Sequence, residues 1–385
     1  MNKFRLKPEI YYGSNAIEYI RTLKGKKACI VTDKFMVDLG FIDKITNILD
    51  DKGVTYRIFS DVEADPSRET VLVGLQHIIE QKPDTLIAIG GGSPIDAAKA
   101  IMYFCIKTKE KLVEPDMIKK PWFVAIPTTS GTGSEVTSYA VITDKKENIK
   151  IPLAEDYMLP DVAILDYELT RTMPPSVTAD TGMDVLTHAM EAYVSKEASY
   201  FTDIYAERAI ETVFRYLNRA YEDGNDMEAR AKMHDASCMA GIAFCNASLG
   251  INHSLAHALG GTFPLPHGRC NAMLLPYVIR FNAGLKGREI TNPEVAKKYQ
   301  NIARLLGLPS DSLLEGVLSI SEGIKIMNKR FNIPNSIKEF GIDKDEFMKH
   351  VDDMAKAASQ DMCTSGNPVK ATFEDFKKIY MEAYE

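Results

Sequence analysis

Five of the seven histidines of this 385-residue chain fall between positions 188 and 267, and four of them stand at spacings that suit a metal ion. In Gly182-Met183-Asp184-Val185-Leu186-Thr187-His188 a carboxylate precedes an imidazole by four residues. His253-Ser254-Leu255-Ala256-His257 repeats that interval with two imidazoles, and His267 follows ten residues later. On a helix, positions i and i+4 share a face about 6 Å apart along the axis, so both side chains reach one point. A carboxylate with several neutral imidazoles is a donor set for Fe²⁺ or Zn²⁺. A lone histidine on an apolar helix is more often a hydrogen-bonded core residue, and His77, His234 and His350 are read that way or as surface groups. Two i, i+4 pairs and a fifth candidate outweigh that reading for the cluster. Cys270 sits near it in sequence and is read as a packing residue before a ligand.

A second chemistry lies upstream. Ile89-Gly90-Gly91-Gly92-Ser93-Pro94-Ile95-Asp96 runs from an apolar strand into a helix. Glycines there let a backbone approach a pyrophosphate, and the helix N-terminus presents unpaired N–H groups to it. Pro94 suits a first helical turn. The spacing is not GxGxxG, so the standard dinucleotide fingerprint is absent, and a plain tight turn is an equal reading. Pro127-Thr128-Thr129-Ser130-Gly131-Thr132-Gly133-Ser134-Glu135 follows the next apolar strand with many short donors. Two such loops at neighbouring strand ends favour a dinucleotide. Asp33, at the end of the first strong strand, is either a helix N-cap or a carboxylate for a ribose diol. In the second role it would repel a 2′-phosphate, which favours NAD over NADP.

These groups need a scaffold. Residues 27–33, 54–59, 85–89 and 122–126 read as buried strands alternating with helical stretches to about Lys52, over 69–81 and over 94–103. That alternation predicts a parallel sheet covered on both faces. From about residue 178 the pattern turns to long helical periods: 178–194, 201–217, 226–246, 252–259, 313–330 and 344–358. The expected organisation is an α/β dinucleotide-binding domain over residues 1–177 and an all-helical metal-binding domain over 178–385, meeting near Met173-Pro174-Pro175.

The bulk numbers exclude some partners. With 53 acidic and 46 basic residues the net charge is −7, which argues against nucleic acid or an anionic membrane surface. No apolar run approaches the roughly 20 residues that span a bilayer. Six cysteines without a CxxC pair read as reduced thiols of a cytoplasmic protein.

Taken together, GGGSPID, PTTSGTGSEVT, GMDVLTHAMEAYVS and NHSLAHALGGTFPLPHG resemble the iron-dependent (group III) alcohol dehydrogenases over essentially the whole chain. Within that family the stretch from Thr178 to Asn282 is most similar to the propanol dehydrogenases of propanediol utilisation. The resemblance implies a dehydroquinate synthase-like fold, with Asp184, His188, His253 and His267 as metal ligands. It makes His257 a catalytic histidine beside the metal, linked to substrate and nicotinamide. It assigns Gly91, Gly92 and Ser93 to the pyrophosphate, Thr128, Thr129 and Thr132 to the second cofactor loop, Lys150 to the ribose side and Asp33 to NAD preference. The implied reaction interconverts a small primary alcohol and its aldehyde with NAD(H) and Fe²⁺, Zn²⁺ being the other metal the donor set suits. A homodimer or larger assembly, and a bacterial microcompartment, are further implications. A polyol dehydrogenase stays open as an alternative, as does a sugar-phosphate cyclase, which would need a basic phosphate pocket.

Overall fold

The computed structural model describes residues 3–111, 120–145 and 149–385. The chain divides into two compact units, residues 5–173 and residues 174–385, with Phe4 stacked on Phe201 of the second unit at 5.5 Å.

In the first unit six parallel strands form one sheet: β1 (Glu9–Tyr12), β2 (Lys27–Val31), β3 (Thr55–Phe59), β4 (Thr85–Gly90), β5 (Trp122–Pro127) and, later in the chain, β8 (Val162–Leu165). Their spatial order is β1-β8-β5-β4-β2-β3. Every residue of β4 is buried, as a central strand covered on both faces requires. The pleat divides the apolar residues by alternation. Cys29, Val31, Leu86, Ala88, Phe123 and Ala125 join α3 (Arg68–Gln81) and α4 (Gly92–Lys111) in one core. Ala28, Ile30, Ile87, Ile89, Val124 and Ile126 join the N-terminal 3₁₀ turn and α2 (Phe41–Asp51) in the other.

The expected single helix to Lys52 is broken in two. Gly40, at φ +71°, separates α1 (Lys34–Asp38) from α2. The hairpin of β6 (Tyr139–Asp144) and β7 (Ile149–Ala154) also escaped the sequence reading, as did β1 and β8, which are only four residues long.

Chain order reverses between β2 and β4: β3 lies outward of β2 on one side, and β5 outward of β4 on the other. In open α/β sheets the crevice beyond the carboxyl ends at such a switch point is where ligands bind. Asp33 follows β2, the glycine turn follows β4 and the hydroxyl-rich loop follows β5, so all three stand at that edge.

The second unit is helical: α5 (Pro175–Val194), α6 (Tyr200–Glu222), α7 (Met227–Ala247), α8 (Ile251–Thr262), α9 (His267–Asn282), α10 (Pro293–Leu305), α11 (Leu313–Arg330), α12 (Lys344–Gln360) and α13 (Phe373–Tyr384). Helix α5 starts with Pro175 in its first turn, where a missing N–H is harmless, and is buried on nearly every face from Thr178 onward. Helices α8, α9, α12 and α13 share a core that includes Leu255, Leu274, Phe347 and Phe376. Of these helices, α9, α10 and α13 were not expected from periodicity; Pro276 inside α9 obscures its pattern.

Candidate active site

Helix α5 carries Asp184 and His188, α8 carries His253 and His257, and His267 is the first residue of α9. Packing of the three helices brings these side chains together. Asp184 Oδ1 lies 3.6 Å from His253 Nε2 and 3.4 Å from His267 Nε2, and its Oδ2 lies 4.0 Å from His188 Nδ1. The rings of His188 and His253 stack at 4.6 Å, and Phe244 stacks on the outer face of His188 at the same distance. His267 approaches this closely because Gly268 follows it. A Cβ at position 268 would stand 2.1 Å from the carbonyl oxygen of Asp180 on α5, so only glycine lets α9 begin there.

The electrostatics fit a divalent cation. His253 Nε2 is buried with no hydrogen-bond partner, and 3.6 Å from Asp184 is too long for one. Two carboxylates, Asp184 and Glu191, are buried within reach of the same ring. Isolated buried charges are costly, and a dication between imidazoles balances both. Burial alone would raise the Asp184 pKa, but the surrounding histidines hold it well below the carboxylate range. Burial would likewise lower His253, yet Glu191 and Asp184 push it up to about 10. A positive charge is therefore favoured at this point of the fold, carried by a proton or by a metal.

Groups that the sequence reading missed surround the cluster. Glu191 Oε2 pairs with His253 Nδ1. It follows Asp184 and His188 at i+7 and i+3 on α5, a spacing that could have exposed it. Asn271, one turn after His267, donates from Nδ2 to Asp184 Oδ1 at 2.8 Å and meets His267 Nε2 at 3.0 Å. Asp361 Oδ2 lies 2.9 Å from His257 Nδ1. That carboxylate would be raised by burial, but the His257 contact lowers it to about 2. No local spacing announces Asp361, which arrives from the far end of α12. His257 is half-buried, with its Nδ1 held by a carboxylate other than Asp184. Cys270 is buried against Gly260, and burial pushes its thiol up to about 12, so it is a neutral packing group.

In the first unit the two expected loops touch. A Cβ on Gly92 would lie 2.8 Å from Thr132 Cγ2, and one on Gly91 3.4 Å from Thr129 Cγ2. Gly90 adopts φ +146°, and its Cβ would meet the Pro94 ring at 2.6 Å. Close packing thus demands glycine at 92 by turn on loop and at 90 by the Pro94 ring, whereas at 91 a Cβ would make only ordinary contact. Thr128 N–H donates to the Gly90 carbonyl at 2.9 Å, which ties the strand ends together. Ser93 enters the first turn of α4, whose leading N–H groups have no intrahelical acceptor. Beneath them lies Lys99, which the sequence reading missed. Fully buried, it donates to Ser134 Oγ (2.8 Å), Thr137 Oγ1 (3.0 Å) and the Tyr139 carbonyl (2.8 Å). Asp96 accepts from Ser134 Oγ at 2.6 Å and Val141 N–H at 3.0 Å.

Of the two readings of Asp33, the helix N-cap is seen. Its Oδ1 caps α1 through Met36 N–H at 2.9 Å, while Oδ2 lies against the Gly90 backbone. Lys150 stands apart from the loops on β7, with its amine bonded to Asp65 Oδ1 at 2.8 Å. Ribose contact from Lys150 would require it to leave that partner.

Comparison with known proteins agrees with this division. Residues 7–167 match the model of the iron-containing alcohol dehydrogenases, and residues 178–384 match that of the C-terminal part of the Fe-containing alcohol dehydrogenase family. An NADPH-dependent butanol dehydrogenase from Clostridium saccharobutylicum is 44% identical, over 100% of this chain and 98% of that protein. A 1-propanol dehydrogenase from Salmonella typhimurium is 40% identical over 99% of this chain and 100% of its own. The crystal structure of a 1,3-propanediol oxidoreductase superposes with a TM-score of 0.89 at 34% identity, covering 100% of both chains. With matches of this extent in both units, the chain belongs to the iron-containing alcohol dehydrogenase family.

Proposed function

We propose that this enzyme interconverts a small primary alcohol and its aldehyde, propanol and propionaldehyde being the reference pair, with NAD(H) and Fe²⁺ held by Asp184, His188, His253 and His267. The observation that carries the reading is the convergence of three imidazoles on the Asp184 carboxylate, beside a buried His253 Nε2 that has no hydrogen-bond partner. When bound, the cation would polarise the substrate oxygen and the nicotinamide would exchange the hydride.

The chain's own groups do the rest. Asp184 supplies the negative charge, and Asn271 holds it in place. His257 donates from Nδ1 to Asp361, which leaves Nε2 as the acceptor for the alcohol proton. Its side chain, 29% exposed, gives that proton a way to water. Phe244, stacked on His188, offers an apolar surface beside the centre, in keeping with a short alkyl chain. Such a surface separates substrates differing by one methylene by only about 1–3 kcal/mol, so overlapping use of ethanol, propanol and butanol is expected.

Gly91, Gly92 and Ser93 would take the pyrophosphate, with Thr128, Thr129 and Thr132 beside them and Lys150 on the ribose side. Asp33 at the β2 end supports NAD, because its charge opposes a 2′-phosphate. The NADPH dependence named for the Clostridium relative makes this the point to measure first. A polyol such as 1,3-propanediol is the second reading, supported by the structural match to that oxidoreductase. A microcompartment, where one is present, is the setting that the propanol dehydrogenase likeness supports, with the chain working as a homodimer or larger cytoplasmic assembly. Among the described residues no helix is long and apolar enough to cross a membrane.

The test is anaerobic oxidation of NADH, and separately of NADPH, with propionaldehyde, using chelated protein reloaded with Fe²⁺ or Zn²⁺. Activity restored by Fe²⁺ and greater with NADH is expected. No restoration by either metal with propionaldehyde, lactaldehyde or 3-hydroxypropionaldehyde would overturn the substrate and the ligand set together.

A further inference from the structure

Helix α8 begins without a cap of its own. Its N-cap residue is Gly250, which has no side chain to accept the first N–H groups. Such orphan donors, when buried, must find acceptors elsewhere. Two side chains from distant parts of the chain supply them. Asn367 Oδ1 accepts from Ile251 N–H at 3.3 Å, and Glu191 Oε1 accepts from Asn252 N–H at 2.7 Å and His253 N–H at 3.4 Å. Glycine at 250 is what admits them. A Cβ there would lie 2.8 Å from Asn367 Oδ1 and 2.9 Å from Glu191 Oε1. The other oxygen of Glu191 faces His253 Nδ1. One buried carboxylate on α5 therefore holds both the backbone and the ring of a residue on α8.

We infer that Glu191 is a positioning residue for the metal centre: it fixes where α8 starts and which nitrogen of His253 carries the proton. The inference rests on the ligand set proposed above. A carboxylate can only accept, so Nδ1 must carry a proton, and Nε2 is the nitrogen left to offer its lone pair to a cation held beside Asp184. Because Glu191 and Asp184 both lie on α5, one helix aims His253 from one side of the ring and shares the cation with it on the other. The α5 spacing Asp184, His188, Glu191 then has a single purpose, with the third position acting through a ligand that belongs to another helix.

Glu191→Gln separates the two roles. A glutamine can still accept the α8 N–H groups through its carbonyl, but it presents an NH₂ to Nδ1. The ring would turn to the other tautomer, and Nε2 would carry the proton. The expected result is a metal-free protein that still folds cooperatively and binds NADH as wild type does. Its affinity for Fe²⁺, measured by chelator competition, should be weaker by about 10–100-fold, the usual penalty for losing a group that orients a metal ligand. Glu191→Ala should lose stability as well, since it removes the cap. Wild-type metal affinity in a folded Glu191→Gln protein would overturn the inference. His253→Ala, measured alongside, distinguishes the two failures: if that variant also binds metal normally, the proposed ligand set is wrong. Should the Gln variant not fold, Glu191→Asp takes its place. It keeps the charge but shortens the reach, with weakened metal binding in a folded protein expected and unchanged metal binding overturning the idea.

Discussion

The two candidate binding regions are built from opposite materials. At the sheet edge the structure is made of backbone and of side chains too short to reach far: Gly91 and Gly92 facing Thr129 and Thr132, and Gly90 against Pro94, with Lys99 and Asp96 pinning the second loop from below. At the helical centre, Asp184, His188, His253 and His267 from three helices meet side chain to side chain, with Glu191 behind His253 and Asn271 behind Asp184. The first region is suited to an extended, many-atom ligand read by N–H groups and hydroxyls. The second suits a single small charge. Damage should therefore differ in kind: removal of a ligand at the centre, distortion of a surface at the edge.

His267→Ala gives the largest effect. It deletes one of the four convergent donors at a side chain that is 39% exposed, so no large cavity forms. Turnover should fall by roughly 10²–10³-fold or more, the scale for loss of a preorganised electrostatic group. Bound metal should fall with it, while thermal unfolding of the chelated protein stays near wild type and NADH still binds. Metal analysis beside activity is the check, and full activity in metal-free His267→Ala would refute the site. Gly90→Ala makes the converse cut. The new methyl group would have to adopt φ +146° and push into Pro94, a backbone strain of about 1–3 kcal/mol. The KM for NADH should rise several-fold at unchanged metal content. Loss of metal from this variant would show that the two regions are not independent.

The same contrast explains what could be read without coordinates. Side chains at i and i+4 announce a shared face, so Asp184 with His188, and His253 with His257, were legible as pairs. That α5, α8 and α9 bring them to one point follows from tertiary packing, and the family resemblance supplied it. Glu191 was legible in principle and overlooked, because glutamate on a helix is ordinarily a solvated residue. Asp361 was not legible, since nothing local links it to His257. At the sheet edge, the strand–glycine–helix sequence located the turn. It did not reveal that Gly92 answers to a threonine of the next loop, whereas the N-cap reading of Asp33 was open from the sequence and that cap is present. Short edge strands such as the four-residue β1 lack a period long enough to detect, whereas β4 and β5 declare themselves by continuous apolar runs.

A smaller effect comes from a histidine outside both regions, and it tests whether carboxylate company is what sets the centre apart. His234 on α7 is buried, and burial pulls its pKa down from 6.5 to about 4, the opposite direction from His253 beside Glu191 and Asp184. The unfolded chain takes up a proton near pH 6.5 that folded His234 refuses until about pH 4. Its share of stability is thus complete above 6.5 and is lost as pH falls towards 4. From pH 7 to pH 5 that share amounts to about 2 kcal/mol by the ordinary linkage relation. Urea unfolding of chelated protein at the two pH values measures it, with His234→Leu as the reference. The wild type should lose about 2 kcal/mol more than the variant over this interval. Equal losses would mean that His234 is already charged in the fold and has an acidic partner of its own. A buried ring would then need no metal centre around it to hold a proton, and the raised pKa of His253 would no longer single out that place as one made for a cation.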